Sequence, residues 1–581
     1  MGREALWSFD GGSLRTPLVL SAHTERFGPP GEAEAVLSDR PRERPTFVDS
    51  GSVFLAREAS GGIAIPPTLN LPPAVKDLEI PIPLAAGRVV QATAAFTAET
   101  QVVLLTNLPD TLRDPREFLR RVLDARDAAG YARLLYAPGI ATPSNLALLV
   151  YCGLDLVDDT RVLLEGGWGR LHTADGWWTD EAAKLACDCA PCREGDKKPY
   201  RHNALALLRE RRTVRAALAA DRLRELAERR AVNDSWSTAV LRHLDLRHHE
   251  WQERHFPVAG GETETNAPAS LTRPDLLRYR HRLKERYAKP PSTRVLVLLP
   301  CSARKPYSES RSHRRFRDAL RAAGNSAAVH EVMVTVPLGV VPRELERFHP
   351  VAGYDLAVTG DWGRDEVAIL QDDLRAYLER NRYERVIVHL HTEREFVREV
   401  LGDKAVYTAE DHPTEESSLR NLEAAAREAT ASLPASSWGD RHLEEMRNVA
   451  RFQFGADVGN ALLDGARLHG RYPFVRIVRA GTQRGMHTDR GMISLTLAGA
   501  EVLSGRDAFC VEIEDFQPAG NIFAVGVTAA TADIRVGDEV AVRHGKDVRA
   551  VGTAAMTPRE MRELRRGEAV RVRHRLPAKA L

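Results

Sequence analysis

Two stretches of the chain alternate apolar runs with amphipathic helical patterns, as α/β folds do. In the first, residues 101–109 predict a strand, 114–130 predict a helix with an acidic first turn and a Gly stop, and 132–139 predict the next strand. Strand, helix and strand in this order imply parallel pairing through a right-handed crossover. The alternation resumes from 294 to about 407, where an apolar run leads into the polar segment PCSARKPYSESRSH. We therefore predict two α/β domains with parallel sheets.

The rest of the chain has a different texture. Residues 257–270 are rich in Gly, Pro, Thr and Ala, which predicts a linker, and a charged helix follows them. After residue 450, short alternating runs are separated by Gly and Asp. Evenly spaced short strands with turn residues between them predict a small β-barrel or open sheet at the C-terminal end.

Composition limits the class of protein. A chain of 581 residues is too long for one hydrophobic core, since cores stop growing near roughly 250–300 residues. The hydrophobic content of 43% and charged content of 28% are ordinary for globular domains. The sequence contains no apolar stretch of about 20 residues and no signal peptide at its start, so we expect a cytoplasmic protein. Because the net charge is only +2, a nucleic-acid role must come from local basic patches.

Three of the six cysteines lie close together and precede a histidine. Cys187, Cys189, Cys192 and His202 have the ligand types and spacing of a tetrahedral zinc shell, and a closed shell of this kind is structural. The alternative is a set of free thiols, with His202 capping the helix that follows it.

This cysteine pattern resembles the zinc site of the tRNA-guanine transglycosylase family, and the resemblance extends upstream. FVDSGSVF (47–54) and YCGLDLVDDT (151–160) are similar to the two segments that carry the family's aspartates. The resemblance implies a TIM-barrel-like domain, with Asp49 as acid/base and Asp158 as nucleophile. The family's Gly-Phe-Gln is replaced here by Ser52-Val53-Phe54. Retained base exchange and a retained scaffold with two capping aspartates therefore both stay open.

The C-terminal 60 or so residues resemble the PUA domain, a pseudo-barrel of RNA-modifying enzymes. The similarity lies in the glycines near 520–552 and in the ending GEAVRVRHR. Clustered arginines suit RNA phosphates, although interleaved glutamates leave a solvated charge face as the alternative. The predicted RNA-binding residues are Arg565, Arg566, Arg571 and Arg573.

The segment PCSARKPYSESRSH, residues 300–313, fits the Pro-Cys-Ser-x-x-Lys-Pro-Tyr-x-x-Ser-x-Ser-His motif of the archaeosine synthase family at every specified position. The order of modules is also similar, so the resemblance covers most of the chain. It implies an enzyme that adds an amine, free lysine, to the nitrile of 7-cyano-7-deazaguanine in the D-loop of tRNA, at position 15. The product is an amidine on the way to archaeosine, and a radical S-adenosylmethionine partner enzyme is implied for the conversion.

The motif residues suit this chemistry. A thiolate adds to a nitrile to give a thioimidate that an amine can displace, which makes Cys301 the candidate nucleophile. Protons would move through Lys305 or His313, and hydroxyls would stabilise charge on nitrogen or bind phosphate. In the alternative, lysine attacks the nitrile directly, Cys301 is a buried structural thiol, and Lys305 and His313 contact RNA phosphate. The predicted catalytic residues are Cys301, Ser302, Lys305, Tyr307 and His313, and Ser310 and Ser312 are predicted to bind substrate.

Further polar residues follow other predicted strands of this domain. Asp361, Glu366 and His389 would lie at the carboxyl edge of the sheet, where α/β proteins bind ligands, and we predict that they bind substrate. The alternative for each is structural, such as Asp361 capping the next helix and His389 packing in its strand.

Together these observations predict a multidomain α/β protein. We expect a transglycosylase-like domain at 1–256, a linker and helix at 257–290, a catalytic α/β domain at 291–430, a small α+β connecting domain at 431–506 and a β-rich PUA domain at 507–581. The expected partners are tRNA, lysine and a second copy of the chain in a homodimer. The alternative function is a transglycosylase that inserts 7-cyano-7-deazaguanine by base exchange.

Overall fold

The computed structural model describes residues 2–9, 12–22, 28–38, 42–48, 89–91, 96–179, 182, 187–195, 199–356 and 361–577. The chain divides into two compact units, Met1–Gln252 and Glu253–Leu581.

The first unit is built on parallel strands. Its strands are β1 (Leu6–Phe9), β2 (Gly12–Arg15), β3 (Leu18–Ala22), β4 (Ala35–Ser38), β5 (Thr46–Val48), β6 (Val89–Gln91), β7 (Val102–Leu104), β8 (Leu134–Ala137), β9 (Leu156–Asp158), β10 (Arg170–Thr173) and β11 (Gly176–Thr179). Its helices are α1 (Pro115–Ala129), α2 (Leu146–Tyr151), α3 (Thr160–Gly167), α4 (Ala190–Arg193), α5 (Tyr200–Ala219), α6 (Leu223–Ala231) and α7 (Ser235–Arg247), and α8 (His249–His255) follows at the boundary.

Among the residues that the structure describes, seven strands form one sheet in the order β5-β4-β3-β9-β8-β7-β6, and each neighbouring pair is parallel. Helix α1 shows why the chain folds this way locally. The Asp114 carboxylate accepts the backbone N–H groups of Arg116 and Glu117 at 3.1 Å, and the helix ends at Gly130, whose φ of 68° favours glycine. Phe118, Val122 and other apolar residues of one helix face are buried.

The central part of the second unit is a second α/β layer. Its elements are β12 (Thr263–Glu264), α9 (Pro274–Arg286), β13 (Val295–Pro300), α10 (Arg311–Ala322), β14 (Val329–Thr335), β15 (Gly339–Pro342), β16 (Tyr354–Asp355), α11 (Arg364–Arg380), β17 (Arg385–Val388), α12 (Arg394–Leu401), β18 (Val406–Tyr407) and α13 (Glu416–Thr430). In the described part of this region, five strands form a sheet in the order β15-β14-β13-β17-β18, and β15 is the antiparallel one. Strand β13 lies at its centre and is buried on both faces, as a continuous apolar run predicts.

The C-terminal part of this unit is rich in strands. It contains α14 (Trp438–Phe454), α15 (Ala456–Leu463), β19 (Arg467–Arg471), β20 (Phe474–Arg479), β21 (Thr482–His487), β22 (Ile493–Leu495), α16 (Leu497–Ser504), β23 (Cys510–Ile513), β24 (Ile522–Phe523), β25 (Val527–Ala530), β26 (Glu539–His544), β27 (Asp547–Ala554), α17 (Pro558–Glu563) and β28 (Glu568–Arg575). A four-stranded sheet runs β19-β20-β21-β22, and a six-stranded sheet runs β24-β28-β27-β26-β23-β25.

The predicted fold class is confirmed, because parallel α/β sheets are followed by a β-rich C-terminal module. The five domain boundaries drawn from the sequence stay predictions. Within the described ranges, no helix is both long enough and apolar enough to cross a bilayer.

Candidate active site and metal cluster

Strand β13 carries the PCSARKPYSESRSH segment to the carboxyl edge of the central sheet. Because β14 and β17 pair with β13 in parallel, the residues that end or follow these three strands meet at that edge. They are Cys301 after β13, Thr335 at the end of β14 and His389 after β17.

Cys301 is partly exposed at this edge. Burial raises the pKa of its thiol, and the nearby negative charge of Glu393 raises that pKa further. A hydrogen bond with Thr335 and the positive charge of Lys305 act in the opposite direction and lower the thiol pKa. The thiol therefore has two groups beside it that favour the nucleophilic thiolate, Thr335 and Lys305, and one that opposes it, Glu393.

A chain of hydroxyl groups lies beside the thiol. The Tyr307 and Tyr354 hydroxyl oxygens are 2.7 Å apart, and the Tyr354 hydroxyl is 2.6 Å from Thr335 Oγ1. Lys305 Nζ lies 3.7 Å from the centre of the Tyr354 ring, in cation–π contact. Burial lowers the pKa of Lys305 and raises that of Tyr307, so each group is shifted towards its uncharged form. These groups can donate hydrogen bonds and exchange protons at the edge.

The end of the motif forms the start of α10. Ser310 is the N-cap, and its Oγ accepts the backbone N–H of His313 at 3.2 Å and lies 3.1 Å from Ser312 Oγ. The His313 ring is fully buried against Phe316, and its Nδ1 accepts a hydrogen bond from Arg343 Nη2 at 2.9 Å. Burial and the Arg343 charge hold the pKa of His313 well below its usual value. These contacts keep the His313 ring neutral and hold it in place at the start of α10.

His389 has a hydrogen-bond partner at both ring nitrogens. Its Nδ1 lies 2.9 Å from Thr408 Oγ1, and its Nε2 donates to the Pro413 carbonyl oxygen at 2.8 Å. The ring is fully buried, and burial lowers its pKa to about 4. These contacts favour the structural alternative for this residue over contact with substrate.

The remaining predicted residues have simpler surroundings. Glu366 Oε2 accepts the backbone N–H of Gly363 at 2.7 Å at the start of α11. Asp361 is exposed before the same helix, and Ser302 is partly buried next to Cys301. The catalytic and binding roles assigned to all these residues stay predictions.

The four predicted metal ligands converge in the first unit. The Sγ atoms of Cys187, Cys189 and Cys192 lie 3.5, 3.3 and 3.3 Å from His202 Nδ1. Zn–S and Zn–N bonds of about 2.3 and 2.0 Å in a tetrahedron place ligand atoms roughly this far apart. The other ring nitrogen, Nε2, donates to the His172 carbonyl oxygen at 2.8 Å, which fixes the tautomer that leaves Nδ1 free for a metal ion. Among the described residues, this is the cluster whose donor atoms fit a metal ion, and we call it the Cys3His cluster.

The predicted RNA-binding arginines lie in and after the turn between α17 and β28. Arg573 pairs with Glu539, with one N–O distance of 2.9 Å, and Arg571 lies 3.4 Å from Glu568. The four side chains all reach the surface: Arg565, Arg566, Arg571 and Arg573.

Two family models match the chain. A family described as a domain of unknown function (DUF5591) matches residues 276–426, which contain the carboxyl-edge site. The PUA domain model matches residues 515–576, which contain most of the six-stranded sheet.

Similarity to curated proteins extends over most of the chain. The archaeosine synthase of Haloferax volcanii is 35% identical over 91% of this chain and 94% of its own length. The archaeosine synthase subunit alpha of Methanosarcina acetivorans is 36% identical over 79% of this chain and 77% of its own length. The chain belongs to the archaeosine synthase family.

The chain is also similar to tRNA-guanine transglycosylases. The tRNA-guanine(15) transglycosylase of Methanothermobacter thermautotrophicus is 25% identical over 79% of this chain and 68% of its own length. Here the Asp158 carboxylate is fully buried and accepts hydrogen bonds from the Tyr136 hydroxyl at 2.8 Å, the Gly139 N–H at 3.1 Å and the Thr160 N–H at 3.0 Å. This bonding favours the scaffold alternative for Asp158. Asp49 lies outside the described residues.

Three groups at the carboxyl edge of this archaeosine synthase family member were not found from sequence. Thr335 ends β14, Tyr354 begins β16, and Glu393 immediately precedes α12. Glu393 is only 8% exposed, and burial raises the pKa of its carboxyl group. A carboxylate in the polar segment HLHTE after a buried strand was the one available signal.

Proposed function

We propose that this protein is a tRNA-modifying transferase of archaeosine biosynthesis. It adds the amine of free lysine to the nitrile of 7-cyano-7-deazaguanine at position 15 of the tRNA D-loop and produces an amidine. The observation that supports this proposal most strongly is the placement of Cys301, Lys305 and Tyr307 at the carboxyl edge of a central parallel sheet in a member of this family.

In the proposed reaction Cys301 is the nucleophile. Its sulfur forms a bond to the nitrile carbon, and the electron pair released from the C–N triple bond goes to nitrogen, which takes up the proton lost by the thiol. Lys305 relays that proton from sulfur to nitrogen. Burial lowers the pKa of Lys305, which makes its ammonium group a better proton donor. The product of this step is a thioimidate bound to Cys301.

In the second step lysine displaces the sulfur. The amine nitrogen forms a bond to the same carbon, the C–S bond breaks, and Cys301 leaves as thiolate and recovers a proton from the attacking amine. The Tyr307 and Tyr354 hydroxyls stabilise charge on the former nitrile nitrogen by hydrogen bonding. The Glu393 carboxylate accepts hydrogen bonds from the incoming ammonium group and takes up the proton that this group loses before the neutral amine attacks.

The remaining parts of the molecule bind and stabilise. Zinc held by Cys187, Cys189, Cys192 and His202 would fill a closed shell, stabilise the first unit and supply no chemical step. The C-terminal arginines bind tRNA phosphates. A homodimer, a radical S-adenosylmethionine partner that completes archaeosine and a cytoplasmic location are further predictions.

The function is tested with tRNA that carries 7-cyano-7-deazaguanine, incubated with the protein and isotopically labelled lysine. Mass spectrometry of the digested tRNA should show a nucleoside heavier by one lysine and carrying the label. Incorporation of free 7-cyano-7-deazaguanine into unmodified tRNA, without a lysine adduct, would instead establish the transglycosylase alternative.

A further inference from the structure

The second unit contains a cavity of about 700 Å³ beside β14, and none of the residues given a chemical role in the proposed reaction lines it. Its walls come from β14, the first turns of α14 and the strands β19 and β20. Its volume lies within the roughly 300–1,000 Å³ typical of sites for small ligands. The motif contributes Ser308, whose carbonyl oxygen accepts a hydrogen bond from Arg317 Nη2 at 2.9 Å. We call this space the α14 cavity.

Arg441 gives the α14 cavity a buried hydrogen-bond donor with no acceptor. Its side chain is 3% exposed, and its Nε donates to Glu445 Oε1 at 2.8 Å. The Nη1 atom is buried and has no hydrogen-bond partner among the residues that the structure describes. A buried N–H group without an acceptor costs free energy, so an occupant that offers an oxygen or ring nitrogen to Nη1 is favoured.

Aromatic and apolar side chains form the other surfaces. The Trp438 ring is 47% exposed and is held by His442, with ring centres 5.3 Å apart. Leu443, Met446 and Val475 supply apolar walls. A large, half-exposed ring beside an apolar wall suits the face of a planar heteroaromatic group.

The charge of the lining favours an anion. Among the described residues that line the cavity, six are arginines and four are glutamates, so the positive charges exceed the negative ones by two. Four of the arginines lie on two different elements, Arg317 and Arg321 on α10 and Arg467 and Arg471 on β19. The last three of these are exposed, which leaves them able to contact phosphate groups on both sides of a bound base.

We propose that the α14 cavity binds one unstacked nucleotide of the tRNA substrate. The base stacks on Trp438 and accepts a hydrogen bond from Arg441, while the flanking phosphates contact the arginines of α10 and β19. Single-stranded RNA is bound in this way by grooves that combine positive charge with aromatic stacking. The inference rests on the proposed function only in taking tRNA as the substrate.

Binding of fluorescently labelled tRNA to the full chain, measured by anisotropy without lysine, tests the proposal independently of turnover. Trp438→Ala should weaken binding about tenfold, the loss expected when a base loses its aromatic partner, and Trp438→Phe should restore most of it. Trp178→Ala is the matched control, because Trp178 is also 47% exposed but lies on β11 of the first unit. In addition, 4-thiouridine-substituted tRNA should crosslink to peptides from residues 438–446.

Equal tRNA affinity of the Trp438→Ala, Trp178→Ala and wild-type proteins would overturn the proposal. A parallel titration with guanosine monophosphate separates RNA from free nucleotide. If Trp438→Ala weakened only mononucleotide binding, the cavity would be a site for a free nucleotide and the RNA assignment would be wrong. Failure of the wild type to add lysine would count against the proposed function and leave these binding results standing.

Discussion

At the residue scale, Cys301 lies between a lysine and a carboxylate that act on its thiol in opposite directions. Lys305 lowers the thiol pKa and Glu393 raises it, while burial raises it most. In the free enzyme Cys301 is therefore mainly a protonated thiol. The thiol has to lose its proton when the substrate is bound. This balance explains why a lysine four residues after the cysteine is useful to the reaction.

The balance predicts the pH dependence of alkylation. Because burial raises the pKa, the rate at which iodoacetamide modifies Cys301 should reach half its maximum above the pH found for a free cysteine thiol. Lys305→Met should move that midpoint higher, and Glu393→Gln should move it lower. Peptide mass spectrometry of the modified protein follows the site. A shift of both variants in the same direction would contradict the assigned charges.

The same residues show which parts of the site can be predicted from the sequence. Cys301, Lys305 and Tyr307 are neighbours in the chain, so one motif contains them all. Thr335 and Glu393 reach the edge only because β14 and β17 pair with β13 in parallel. The sequence indicated that a carboxyl edge exists. It did not give the strand order and register, which determine the polar residues that lie near Cys301.

At the scale of elements, the alternation of apolar runs predicted the α/β class but not the ends of its strands. The predicted strand 101–109 ends in the structure at Leu104. Asn107 adopts a left-handed φ of 56° and begins a 3-10 helix, Leu108–Arg113, so the apolar residues after it pack without joining the sheet. Apolar content alone does not distinguish a residue buried in a strand from one buried in a 3-10 helix.

Helix α10 depends on the motif for its N-terminal cap, which gives a prediction at this scale. Ser310→Ala removes the acceptor for the His313 N–H and should lower the free energy of unfolding by about 1 kcal/mol. Ser310→Thr should retain most of it, and Ser312→Ala, which leaves the cap in place, should have a smaller effect. Urea unfolding followed by circular dichroism measures all three. Equal stability of Ser310→Ala and the wild type would remove the structural role of this serine.

At the scale of the whole molecule, the stability of the two units should depend on different features. His202 links the Cys3His cluster to the His172 carbonyl oxygen in the first unit, whereas the second unit has its own continuous apolar core. Metal binding is coupled to folding in closed sites of this kind. The first unit should therefore depend on the metal while the second does not.

Chelation tests this dependence. A strong chelator should lower the melting temperature of the first unit and leave the transition of the second unit unchanged, as seen by calorimetry. Cys189→Ser should lower the first transition in the same way and should no longer respond to the chelator. An unchanged first transition with chelator would show that the cluster holds no structural metal.

Two buried histidines of the second unit should lower its stability in acid, against an opposite contribution from Asp538 and Glu445, whose pKa values burial raises. His349 and His389 are held neutral by burial, with pKa values of about 4, whereas an unfolded histidine has a pKa near 6.5. The unfolded state therefore binds more protons between these values, and stability falls as pH drops from about 6.5 to 4, by up to about 1.4 kcal/mol per pH unit for each histidine. Urea midpoints of the second unit at pH 7 and 4.5, compared between wild type and His389→Asn, isolate the histidine contribution, because the variant should lose less stability in acid. An equal change of midpoint in the two proteins would contradict it.

The central claim is that Cys301 carries out amine addition to a nitrile on tRNA. The most direct measurement compares wild type with Cys301→Ala on tRNA containing 7-cyano-7-deazaguanine and lysine, by mass spectrometry of the digested nucleosides and of the intact protein. We predict a lysine-sized gain on the nucleoside for the wild type and none for the variant, and a tRNA adduct on Cys301 when lysine is left out. A variant that adds lysine as fast as the wild type would contradict the account and favour direct attack by the amine.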